Sequence, residues 1–114
     1  MGLIYKIHPE ADWAKAEAAG RFTGAPIDIK DGYIHFSTAA QARETAAKHF
    51  AGQAGLLLIA VEAEALGGAL RWEPSRGGAL FPHLFAILDP RTVRWTQPLP
   101  LGPGGAHLFP ADVA

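Results

Sequence analysis

Leu56-Leu57-Leu58-Ile59-Ala60-Val61 is the longest unbroken apolar run in this chain, and it limits the fold more than any other feature. Six apolar residues bounded by Gly55 and Glu62 are far short of the roughly 20 needed to cross a bilayer. Because successive side chains of a strand point to opposite faces, a strand apolar at every position must be covered on both sides. The run is therefore expected to be a central strand with the rest of the chain folded around it. At 114 residues the chain is long enough for one such core and too short for two.

The flanking pattern predicts alternating elements. Leu3 to Ile7 is a short β-prone run. Pro9 to Ala19 reads as a helix with Glu10 and Asp12 in its first turn, Gly20 as a left-handed cap, and Trp13 and Ala16 on its buried stripe. Residues 20–32 lack periodicity and read as a loop able to fold over something. Tyr33 to Phe36 is a strand, and Thr38 with Gln41 three residues on forms a capping-box pattern that opens a helix running to about Phe50. Further strands are expected over Ala69–Glu73, Leu80–Leu88 and Thr92–Gln97, the first two separated by the Pro74-to-Gly78 turn. Residues 98–105 read as an extended tail, with Leu108 and Phe109 able to dock back. The expected fold class is α+β: one small domain over 1–98 with a mixed sheet of about five to six strands and two helices, and a Pro/Gly-rich tail over 99–114.

Charge and composition narrow the function. The formal net charge is −1, and acidic and basic residues are interspersed, so the chain carries no basic footprint for DNA or for an anionic membrane. Cysteine is absent, which removes disulfides, thiolate metal sites and cysteine nucleophiles, and leaves five histidines and the carboxylates as reactive groups. The first residues enter a strand without a basic region and long apolar stretch, so a cytoplasmic location is expected.

Three segments could carry chemistry. Gly32-Tyr33-Ile34-His35-Phe36-Ser37-Thr38 brings imidazole and two hydroxyls to a strand-to-helix junction, where free amides at the helix start favour an anionic group. The plain alternative is that Thr38 caps, Ser37 assists, and His35 is a satisfied core-edge histidine. In Arg71-Trp72-Glu73, strand alternation sets Arg71 and Glu73 on one face and Trp72 on the other, expected to be buried. Glu73 suits a general base and Arg71 an anion, unless both simply pair across strands on a solvated face. In Phe81-Pro82-His83-Leu84-Phe85, proline stiffens the backbone that carries His83; a strand entry with His83 half exposed is the alternative. His8, His49 and His107 are weaker candidates. A metal site of His35, Glu73 and His83 has suitable ligand types but no short ligand spacing, and no metal is expected.

These segments, together with Leu3-Ile4-Tyr5-Lys6-Ile7 and Trp13, occur in the order that resembles a small bacterial family, the domain of unknown function 952. The resemblance covers the chain to about Pro98. It implies a distant similarity to the ADP-ribosyltransferase fold, a split β-sheet whose cleft grips NAD. On that basis His35, Glu73 and His83 would be catalytic, and Tyr5, Lys6, Ser37, Thr38, Arg71 and Phe81 would bind the ligand. Family members often have histidine where this chain has Lys6. The implied function is an NAD or ADP-ribose-type nucleotide-binding protein or transferase, with NAD as substrate. The competing expectation is a non-catalytic module for a small anionic metabolite, and either would act as a monomer or weak homodimer.

Overall fold

The computed structural model describes residues 2–111 and 113. Its centre is β3 (Leu56–Glu62), buried along Leu56 to Val61 as the apolar run demands. On one side β3 pairs with β1 (Leu3–Pro9), from Leu3 opposite Glu62 to Pro9 opposite Leu56, and on the other with β6 (Val93–Pro98). Alternate β3 side chains serve different cores. Leu57, Ile59 and Val61 pack with Ile4, Trp13, Phe22 and Phe36, whereas Leu56, Leu58 and Ala60 pack with Tyr5, Ile7, Ala46 and Leu99.

A second sheet has β5 (Leu80–Leu84) between β2 (Ile34–His35) and β4 (Leu70–Pro74). Every pairing in both sheets is antiparallel, which corrects the expectation of a mixed sheet. Strand direction is set by how the chain returns between strands, and side-chain periodicity carries no record of it. The tight turn between β4 and β5 can join only antiparallel neighbours.

Among the described residues three α-helices form, one more than expected. α1 (Glu10–Ala19) buries Trp13 and ends on Gly20 at φ 75°. α2 (Pro26–Asp31) lies inside the segment expected to be a loop. Pro26 opens it and Gly32 closes it at φ 89°, but six residues are too few to show a helical period. α3 (Ala39–His49) has the anticipated capping box, with Gln41 N–H donating to Thr38 Oγ1 at 3.3 Å and Thr38 N–H to Gln41 Oε1 at 3.0 Å. Ala42 and Ala46 form its buried stripe.

One further expectation is corrected. Trp72 is not buried but 46% exposed, because β4 lies at the edge of its sheet and the Trp72 face is left uncovered. After β6 the chain turns back onto the second core, where Leu99 and Val113 are buried and Phe109 packs partly, while Leu108 stays exposed. Among the described residues no helix is long and apolar enough to cross a membrane.

Candidate functional site

Among the described residues one main-chain bridge joins the two sheets. Tyr5 and Ser37 exchange a pair of backbone hydrogen bonds, each 2.8 Å, which joins β1 to the chain just beyond β2. Gly32 at positive φ and the Thr38 cap fix the ends of this short stretch. His35 falls directly opposite His83 on β5, and Phe36 N–H donates to Pro82 O at 3.0 Å. The histidines of two motifs nearly fifty residues apart thereby become neighbours, with ring centroids 5.4 Å apart.

Each histidine is held by a carboxylate. His83 is buried, and its Nδ1 lies 2.8 Å from Glu73 Oε1, the residue two positions along β4 from its register partner Arg71. A carboxylate only accepts, so Nδ1 carries a proton, and in the neutral ring Nε2 presents a lone pair. Nε2 hydrogen-bonds to no described residue. Tyr33 stacks on the same ring at 4.2 Å, nearly parallel, and contacts His35 at 4.6 Å. Burial, together with the negative charges of Asp31, Glu73 and Asp28, pushes the Tyr33 hydroxyl above its ordinary pKa.

His35 Nδ1 lies 2.5 Å from Asp28 Oδ1, and its Nε2 3.1 Å from Asp31 Oδ2. Asp28 is 1% exposed and gathers four donors: Lys6 Nζ at 2.6 Å, His35 Nδ1, and the backbone N–H groups of Ala25 at 2.8 Å and His35 at 3.2 Å. Burial alone would raise its pKa. The hydrogen bond from His35, the charge and hydrogen bond of Lys6, and the Ala25 amide outweigh that and hold it well below the usual carboxylate range. Burial lowers the Lys6 pKa, against the pull of Asp28.

Between the sheets lies a cleft of about 580 Å³, floored by β1 and β5 and walled by α2 and α3. Of the residues singled out in the sequence, Tyr5, Lys6, His35, Ser37, Phe81 and His83 line it. Glu73 is not in the lining and meets it only through its hydrogen bond with His83. Thr38 is not in the lining, and its hydroxyl and amide are both engaged in the capping box. Arg71 also lies outside, with its guanidinium 5.0 Å from the centroid of the Phe85 ring. Ser37 Oγ is 2.8 Å from Thr45 Oγ1 in the cleft wall. Among the described residues no three His, Asp or Glu side chains gather as metal ligands would.

Asp28, Asp31 and Tyr33 are the site residues that the sequence reading missed. One signal for Asp28 was available: Lys6 stands in an otherwise apolar strand, and a cation there requires a buried anion from elsewhere. His49, read as a helix-surface residue, lies at the cleft rim.

Fold and site together define a small α+β domain of two three-stranded antiparallel sheets with a polar cleft between them. The chain belongs to the family described as protein of unknown function (DUF952), which matches residues 7–96. It is similar to the protein CC0527 from Caulobacter crescentus. The crystal structure of that protein shares 50% identity over 97% of each chain, with a TM-score of 0.93. Its solution NMR structure aligns at 54% identity over 92% of this chain and 90% of that one, with a TM-score of 0.84. No curated protein matches the chain.

Proposed function

We propose that the cleft binds a ribosyl ligand of the NAD or ADP-ribose type, with the Glu73–His83 pair as its acid–base group. The observation that carries this reading is a buried histidine in a cleft wall, fixed by a carboxylate at Nδ1, whose Nε2 hydrogen-bonds to none of the described residues. A histidine oriented by a carboxylate at one nitrogen and open to a cleft at the other is the arrangement a general base requires. The volume falls within the range of small-molecule sites, and aromatic walls with a few convergent polar groups suit a base joined to a sugar. A division into two sheets with the cleft between them is also what the resemblance to the ADP-ribosyltransferase fold implies.

The transfer suited to this arrangement breaks the bond from ribosyl C1′ to its base and joins C1′ to an incoming hydroxyl. The base departs with the bonding electrons, and His83 Nε2 takes the hydroxyl proton. Glu73 stabilises the imidazolium so formed, as a carboxylate behind a catalytic histidine does.

A non-catalytic metabolite-binding module is the second reading, and one observation favours it: Glu73 lies outside the cleft lining, so the carboxylate and His83 do not both face one reacting atom.

Both readings are separated by titrating isotope-labelled protein with NAD and ADP-ribose while following nicotinamide release. Saturable shifts at His83, Tyr33 and Phe81 with release that His83→Ala abolishes are expected. Shifts without release favour the binding module. Absence of any shift at millimolar ligand rejects the ribosyl site.

A further inference from the structure

The charged groups of the cleft have an unusual balance for a nucleotide site. Its described charged lining consists of Lys6, Asp28 and Asp31, one cation against two anions. Lys6 is not available to a ligand phosphate: its ammonium lies 2.6 Å from Asp28 and its side chain is 7% exposed. The other expected anion-holding feature, the start of α3, lies outside the lining at Thr38, whose amide already donates to Gln41. Counting His35 as charged would bring the balance only to zero.

What the cleft does offer is acceptors. Asp31 uses Oδ2 on His35, while Oδ1 has no described partner, and its side chain is 35% exposed. A carboxylate in this position suits the vicinal hydroxyls of a ribose, as acidic side chains do in dinucleotide sites. His83 Nε2 is a second acceptor, on a buried ring in the same cleft. Phe81 and Phe36 supply apolar wall beside them.

We infer that the cleft grips the ribosyl and base end of its ligand and leaves phosphoryl groups outside, so that an uncharged or cationic ribonucleoside is held as tightly as the nucleotide. This rests on the ribosyl-ligand reading above and specifies which part of the ligand is recognised. Asp31, with one oxygen open to the cleft, favours a cationic base such as the pyridinium of nicotinamide riboside. Free phosphate gains nothing from it.

Calorimetric titration with nicotinamide riboside, adenosine, ADP-ribose and inorganic phosphate tests this. A nucleoside that binds at least as tightly as ADP-ribose, with no saturable heat from phosphate, is the expected result. Asp31→Asn keeps the shape of an exposed helix end and should weaken nicotinamide riboside roughly fivefold, the upper end for a partly exposed charge pair, while changing adenosine less. If ADP-ribose binds tenfold or more tighter than either nucleoside, or phosphate competes with it, the inference is overturned while the ribosyl site stands. If none of the four binds, both fall.

Discussion

Lys6 and Asp28 lie 22 residues apart in sequence and meet at 2.6 Å in the interior, with neither side chain more than 7% exposed. The pair ties α2 to the first sheet, and through His35 the same carboxylate ties it to the second. Position and charge are thus fixed together: the wall of the cleft stands where its ion pair holds it.

Removing one partner strands the other. Asp28→Ala leaves a buried ammonium and two unanswered backbone donors, and should lower stability by about 3–5 kcal/mol in urea denaturation. Lys6→Met should cost less, since Asp28 keeps His35 and both amides. A larger loss for Lys6→Met would mean that the carboxylate depends chiefly on the lysine.

Acid should act on two groups in sequence. His8 is buried with Nδ1 unpartnered, and burial, followed by the charge of Lys6, lowers its pKa. The unfolded chain therefore binds this proton first, so stability should begin to fall as pH drops below about 6.5. Asp28 has a depressed pKa, so its contribution is complete above the ordinary carboxylate value near 4 and is lost as pH falls through the folded value. Denaturation curves from pH 7 to pH 2 should show the upper window and the onset of the lower, and His8→Phe should remove only the upper one.

Gly24 sits at φ +111°, and a Cβ there would lie 2.6 Å from Asp28 Cβ. Gly24→Ala meets both backbone strain and a clash against the residue that anchors α2. A loss of roughly 1–3 kcal/mol is expected, read as a lowered melting temperature. Gly52, also at positive φ but with open space around it, should respond less to the same change.

Thr38→Ala distinguishes a cap from a ligand contact. It should cost about 1 kcal/mol through the lost hydrogen bond to Gln41, while leaving ligand affinity unchanged. Ser37→Ala, in the cleft wall, should change affinity instead.

What the sequence disclosed and what it withheld follow from the range of the forces involved. The Leu56-to-Val61 run specified a strand covered on both faces because burial is written into every one of its residues. Thr38 and Gln41 specified a helix start because a cap is a contact across three residues. Strand direction, α2 and Asp28 were hidden because each depends on partners far along the chain, or, for α2, on a helix of less than two turns. Trp72 was misplaced for a related reason: alternation separates two faces but does not say which one the rest of the protein covers. At the site, His35 and His83 were visible as residue types in stiffened segments. Their facing register, and the carboxylate behind each, arise only when β2, β4 and β5 assemble.

The bridge between Tyr5 and Ser37 is made wholly of main-chain atoms. Neither hydrogen bond uses a side-chain atom, so the bridge itself asks for no particular side chain while the residues around the opening change. Inheritance can therefore act on the two parts separately. Descendants of this chain can exchange the side chains that choose a ligand, one lineage after another, without renegotiating the junction that gives the opening its shape.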